Sequence, residues 1–439
     1  MKGAINNGSP TVVTEEGGGS EVKKQDDSLD VVYHPSTDAT INMLSEEEVD
    51  KMAEKVMDVL ATYFWSPDDE SGVLRASDWP GRKFFKKHAT HWIRRNEPVK
   101  MVLPAFPFKS ANPEKVSGLL PDFAEFLGLS RLNQMCLDIH KVYEFGAQIT
   151  LATDGVVFND LVLVDDNEVW NYGQAIRDMV DANFFHHNIK VVYAMELLGI
   201  TNEKDPNKEL FFATIDQCRD QILAQFTQHE EAMQMLVDED PDSRLTYTGI
   251  KTFCKVDQAN SIYRKQAPSR KAFLRDMSSL ALKILARSEG FGKLIRARLP
   301  NHIRLSIHPS SGAAKLSICL LPQPPGGVSR APWMSSIAVD RKGNYLSMHS
   351  KDVQDTHELI YKDGKPWLFR ERCAIYDIQK DHEEEWAMEH MYPTGLLALQ
   401  IRTSRVQSII PPLINQKLKE IAAWQPVQII QSGAYSFAN

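Results

Sequence analysis

AQITLATDGVVFNDLVLVDD, residues 147–166, holds two runs of apolar residues on either side of Asp154-Gly155. The first run, from Ala147 to Ala152, predicts a strand. Asp154-Gly155 is a turn signal, so the second run is expected to be another strand or a loop. Asp154 and Asp160 then stand on either side of that turn, as carboxylates interrupting apolar sequence. Upstream, PDFAEFLGLSRLNQMCLDIHKVY (121–143) has helical period and opens on Pro121-Asp122, a helix N-terminus signal. Downstream, DNEVWNYGQAIRDMVDAN (166–183) is helical again, and IKVVYAMELLG (189–199) reads as a strand. Helices and strands thus alternate through this region.

Further out, residues 1–40 carry one aromatic, Tyr33, and the polar run EEGGGSEVKKQDD. Such a segment buries too little apolar area to offset its ordering entropy, and a disordered tail is expected. Order should begin with Ser45 and Glu48 as a capping box, followed by Val49, Met52, Val56, Leu60 and Tyr63 on one helical face. Asn112-Pro113 reads as another helix start. Residues from about 207 to 300 are mostly helical, with a polar break at DEDPDSR. IRLSIHP (303–309), AKLSICLLP (314–322) and SSIAVDRKGNYLSMH (335–349) read as strands. ELIYKDGKPWLFRER (358–372) reads as a hairpin around Asp363-Gly364. The expected fold is α/β: a mixed central sheet flanked by helices, with a largely helical middle segment.

Composition narrows the function. The chain is 43% hydrophobic and 25% charged, with a formal net charge of −8. That balance argues against nucleic acid as the main partner. The five cysteines, at 136, 218, 254, 319 and 373, form no C-x-x-C pair and are odd in number, which favours reduced thiols in the cytoplasm. No secretory leader and no membrane span are expected. Dinucleotide, Walker A and G-x-S-x-G signatures are absent. His229–Glu231 and His382–Glu384 lie in highly polar stretches, and His186-His187 lacks a further ligand at suitable spacing, so no metal is expected.

Four stretches place polar residues inside apolar sequence. In LPAFPFKS (103–110), Lys109 is either a snorkelling lysine or a buried amine whose desolvation makes it a base or nucleophile. The flanking Pro104 and Pro107 should hold this segment extended, pointing Phe106 and Phe108 one way and Lys109 the other. The second stretch contains Asp154 and Asp160. In the third, period-two alternation puts Arg304, Ser306 and His308 on one sheet face, with Lys315 opening the next strand. That face is either the solvent side of an antiparallel sheet or an anion site, where Arg304 could grip a phosphate. The fourth, GGVSRAPWMSSIAV (326–339), is a flexible loop closing on Trp333.

The run LPAFPFKSANPEKVSGLLPDFAEFLGLSRLNQMCLDIHKVYEFGAQITLATDGVVFNDLV (103–162) closely resembles the pyoverdine/dityrosine biosynthesis family, whose characterised members are isocyanide synthases. IRLSIHPSSGAAKLSICLLP and APWMSSIAV resemble later blocks of that family in the same order. The similarity covers roughly residues 45–350. A histidine is expected after the family's Pro-Trp; here that position is Met334. The resemblance implies a lyase- or transferase-type isonitrile synthase of secondary metabolism. In it, the amine of an L-amino acid condenses with the ketone of ribulose 5-phosphate. Fragmentation and phosphate loss then leave one sugar carbon on nitrogen. No cofactor is implied. An N-formyl amino acid product of the dityrosine type, and a degenerate non-catalytic member, are the alternatives.

On that reading Lys109, Asp154 and His308 are the expected catalytic residues. Asp160, Arg304, Lys315 and Trp333 are expected to bind substrate. The expected divisions are a tail (1–40), a catalytic α/β domain (41–352) and a C-terminal hairpin with its extension (353–439). From about residue 385 the extension resembles the lead-in to an iron/2-oxoglutarate dioxygenase domain fused to some fungal members. A shortened fusion or a separate downstream dioxygenase partner is expected.

Overall fold

A computed structural model describes residues 44–65, 79–201, 203, 206–322 and 330–372. The expected N-terminal tail and the dioxygenase-like extension lie outside the described residues. Helix α1 (Glu46–Tyr63) starts at the expected capping box: Glu48 N donates to Ser45 Oγ (3.3 Å) and Ser45 N to the Glu48 carboxylate (2.8 Å). Then come α2 (Arg82–Ile93), β1 (Val99–Pro104), α3 (Phe123–His140), β2 (Ala147–Ala152), α4 (Gly155–Phe158), α5 (Asp166–Ala182), β3 (Ile189–Val192) and α6 (Ala194–Leu198). The middle segment is α7 (Lys208–Gln225), α8 (Glu230–Glu239), α9 (Pro241–Asp257), α10 (Ile262–Gln266) and α11 (Arg270–Arg298). Strands β4 (Ile303–Ser306) and β5 (Leu316–Ser317) follow. Last are β6 (Ser336–Val339), β7 (Tyr345–Met348), α12 (Ser350–Val353), β8 (His357–Lys362) and β9 (Lys365–Glu371).

The central sheet runs β3-β2-β1-β4-β5, and every pairing in it is parallel. Mixed pairing occurs in a second sheet, β7-β6-β9-β8, where β6 is antiparallel to β7 and parallel to β9. The α/β class is as expected. Some local expectations are not. After Asp154 the chain enters α4 instead of a second strand or a loop, because parallel neighbours need a crossover and not a tight hairpin. The strand expected over 189–199 stops at Val192 and continues as α6. Asn112-Pro113 opens a turn and not a helix: Asn112 O accepts from Lys115 N at 2.9 Å.

Alternation along the strands sorts the core. Val99, Met101, Leu103, Ile149, Leu151, Ile303 and Leu305 point to one face, packed with residues of α1, α2, α3 and α5. Val102, Ala152 and Val192 point to the other, packed with residues of α7, α9 and α11. Arg304 and Ser306 alternate with Ile303 and Leu305, so they face the helical middle segment and not bulk solvent. The second sheet leans on α3, with Trp367 of β9 5.6 Å from Phe123 and 6.3 Å from Phe126 between ring centroids. The expected division at residues 352 and 353 falls inside α12, between strands of this one sheet.

Candidate functional site

Parallel strands leave their C-terminal ends facing one edge, where such sheets commonly hold ligands. Asp154 follows β2 there, and His308 and Lys315 sit on the loop between β4 and β5. That loop is pinned by buried serines: Ser310 Oγ lies 2.6 Å from Ser317 Oγ and donates to Lys315 O (2.8 Å), and Ser317 Oγ donates to His308 O (2.8 Å). Helix α9 joins this loop from above. Ser311 N donates to Asp242 Oδ1 (2.7 Å), and Lys315 Nζ to Thr246 Oγ1 (3.3 Å). A side chain at Gly249, one turn further, would come within 3.9 Å of His308 Nδ1.

Two atoms in this region are buried and unpartnered: Asp154 Oδ1 and Arg304 Nη1. Each senses the other's charge. Burial pushes the Asp154 carboxyl up to about 7, against the pull of Arg304. The same desolvation lowers Arg304 to about 10, and the nearby Arg296 adds to it, while Glu289 and Asp154 oppose. Burial, with Lys315 and Arg304, brings His308 down to about 4, so its imidazole is neutral near pH 7. Lys315 is also lowered, first by burial. The cluster therefore holds a carboxyl poised near neutrality, a neutral imidazole and fixed cations, a set suited to moving protons beside an anion.

Lys109 belongs to a neighbouring network. Its ammonium is fully buried and donates to Glu125 Oε2 (2.7 Å), Glu125 Oε1 (2.9 Å) and Pro332 O (3.2 Å), with Asp122 Oδ2 at 2.9 Å. Asp122 and Glu125 are also the capping box of α3. Tyr172 Oη donates to Glu125 Oε1 at 3.0 Å. Burial would lower the Lys109 ammonium, but the two carboxylates outweigh it and hold it raised. Asp122 is itself raised by burial. Tyr172 is raised chiefly by burial and then by Glu125, with Asp122 and Asp154 adding to it. The approach to Lys109 is not extended. Phe106 takes a left-handed backbone (φ 59°), which sends Phe106 and Phe108 to opposite cores, against Trp333 (5.1 Å) and Phe158 (5.6 Å) respectively.

The remaining expected residues do not join the cluster. Asp160 is exposed and ion-paired with Arg287 at 2.6 Å. Trp333 is buried in the core, and its carbonyl accepts from Ser110 N at 2.8 Å. Asp154, Arg304, His308 and Lys315 are the four that come together.

The model for the pyoverdine/dityrosine biosynthesis protein family matches residues 89–360. The chain belongs to this family. Over 340 residues it is 37% identical to isocyanide synthase xanB of Aspergillus fumigatus, covering 76% of this chain and 44% of xanB. Over 303 residues it is 31% identical to an L-tyrosine isonitrile synthase of Xenorhabdus nematophila, covering 68% of this chain and 83% of that protein. The isocyanide synthase-NRPS hybrid crmA of A. fumigatus is 35% identical over 279 residues, 62% of this chain and 17% of crmA. The chain thus spans less than half the length of both fungal relatives. The crystal structure of PvcA from Pseudomonas aeruginosa superposes with a TM-score of 0.62 at 28% identity, covering 73% of this chain and all of that one (100%).

Within this pyoverdine/dityrosine family member, Met334 follows Trp333 in a short 3₁₀ turn and packs against the core. Sequence reasoning missed Glu289, Arg296 and Thr246, because nothing in a long helical run marks which turn meets a distant strand. Gly249 and Gly292, in the helix faces turned toward His308 and Arg304, were the available signal. Glu125 was hidden differently, since a carboxylate in a capping box already has a local reason to be there.

Proposed function

We propose that this chain is an isocyanide synthase acting on the amine of an L-amino acid, with ribulose 5-phosphate as carbon donor. The observation that carries the proposal is that Asp154 Oδ1 and Arg304 Nη1, two groups within electrostatic reach of one another, are both buried without a partner, beside a neutral His308 and Lys315. A buried polar atom without a partner is costly unless a ligand completes it. An amino acid and a sugar phosphate together bring an ammonium for Asp154 and anionic oxygens for Arg304 and Lys315. Imine formation between amine and ketone needs one group to take a proton and another to give it. Asp154, held near pH 7, is matched to proton transfer in either direction, and the neutral His308 imidazole can hold a hydrogen bond beside it. The Lys109 ammonium is enclosed by two carboxylates, so in this reading it shapes the site from behind and does not touch substrate. The names of the relatives support the activity, and tyrosine and tryptophan are named for several of them.

The test is incubation of the full chain with ribulose 5-phosphate and the twenty amino acids, followed by phosphate assay and mass spectrometry. Release of phosphate with consumption of one amino acid and appearance of its isocyanide is the expected result. A formamide formed without acid treatment would move the assignment to an N-formyl product. No phosphate release with any amino acid would sink it.

A further inference from the structure

Helix α11 brings Gly292 beside the guanidinium of Arg304, which projects from β4. A Cβ placed there would lie 3.7 Å from Nη1 of Arg296 and 3.9 Å from Nη2 of Arg304. Arg296 is one turn further along the same helix, and its side chain folds back over Gly292, the direction helical side chains favour. Two guanidinium groups, one from a strand and one from a helix, thus meet over a residue with no side chain. Neither makes an ion pair with a carboxylate among the described residues. Arg304 Nη1 is buried with no hydrogen-bond partner among the described residues, while Arg296 is exposed. Glu289, on the preceding turns of α11, is near enough to act on Arg304 but bonds to neither.

Like charges brought together in this way repel, and a folded chain does not hold them so without a reason. A dianion between them supplies one: each planar guanidinium can give a forked pair of hydrogen bonds to phosphate oxygens. A single carboxylate would satisfy only one of the two. We propose that Arg296 and Arg304 form a phosphomonoester subsite over Gly292, which places the phosphate of the sugar substrate at the α11 end of the site and the amino acid at the Asp154 end. The proposal deepens the reading given above and rests on it for the identity of the phosphate donor. Arg296, exposed to solvent, is the contact that an entering phosphate meets before it reaches the buried Nη1 of Arg304.

The test measures binding of inorganic phosphate, ribulose 5-phosphate and acetate to the full chain by titration calorimetry. The wild type is compared with Arg296→Gln, Arg296→Lys and, as a charge-matched control on the exposed start of α11, Lys271→Gln. Arg296→Gln should bind inorganic phosphate and the sugar phosphate about 10- to 100-fold more weakly, the loss expected for one charge-assisted contact. Arg296→Lys should recover part of it, Lys271→Gln should match wild type, and acetate should show no dependence on Arg296. Equal phosphate affinity in Arg296→Gln and Lys271→Gln would overturn the subsite, even if isocyanide were still produced. Phosphate binding that needs Arg296 in a chain that makes no isocyanide would uphold the subsite and reject the proposed activity.

Discussion

Asp154 lies between Thr153, whose hydroxyl is tied to Val192 O at 3.2 Å, and Gly155 at the start of α4, so its backbone is held on both sides. The carboxyl itself is unsatisfied at one oxygen and sits near pH 7. Asp154→Asn keeps shape and turn propensity but cannot take a proton. Turnover should fall by about 10²–10⁴-fold, the usual share of one acid–base group, while the circular dichroism spectrum stays unchanged. If the ionised form is the working base, wild-type rate should climb as pH rises through about 7, and that limb should vanish in the variant. A folded Asp154→Asn with near-normal turnover would remove Asp154 from the chemistry. Lys109 leads to the opposite expectation. Lys109→Met leaves Asp122 and Glu125 buried without their cation, which costs about 3–5 kcal/mol for a broken buried pair. Its melting temperature should drop sharply, and adding Glu125→Gln should restore part of the loss. The apolar surroundings of Lys109 left a snorkelling and a buried lysine both open in sequence. Its partners were not legible there, because Asp122 and Glu125 read completely as a helix cap.

At the scale of elements, the loop after β1 and the start of α4 are fitted to one another. A Cβ on Gly155 would lie 2.4 Å from Pro107 O and 2.6 Å from Val169 Cγ1. Gly155 is therefore small because the Pro107 backbone and α5 close on it, not because a hairpin turns there. Gly155→Ala should cost at least the 1–3 kcal/mol typical of overpacking (about that range), seen as a lower denaturation midpoint in urea. It should also shift the Phe106–Lys109 segment, so that activity falls further than stability alone explains. Full stability in this variant would mean that the loop yields easily. The same glycine shows why the element after it was misread. A turn signal and a close-approach signal look identical in one sequence, and only the parallel partner strand separates them. By contrast, α1 and α3 were legible from their ends, since Ser45 with Glu48 and Asp122 with its apolar run carry a local signature that tertiary contacts did not override.

Across the whole molecule, the central sheet separates two cores, and β4 carries titratable groups at both of its ends. His302 precedes it, packed edge-on to Trp92 at 5.6 Å, and His308 follows it in the candidate site. Burial brings both imidazoles down to about 4, helped by Lys100 at one end and by Lys315 at the other. In an unfolded chain each would take its proton near pH 6.5. Between about pH 6.5 and 4 the unfolded state therefore binds more protons at these two positions, and acidification destabilises the fold through them. Asp154 acts with the other sign. Raised by burial to about 7, it holds a proton in the fold that the unfolded chain releases above about pH 4, so acidification through the same window favours the native state. These opposed contributions should flatten the wild-type stability profile from pH 4 to 7, each proton being worth up to about 1.4 kcal/mol per pH unit. Single variants unbalance it. Asp154→Asn removes a group that favours the fold in acid, so its stability should fall more steeply below pH 6.5 than wild type. His308→Gln removes a group that opposes the fold in acid, so its profile should tilt the other way. Urea melts of the three proteins at half-unit steps of pH decide the matter: parallel profiles would mean that neither side chain is as enclosed between the sheet and its helical cover as the packing around β4 requires.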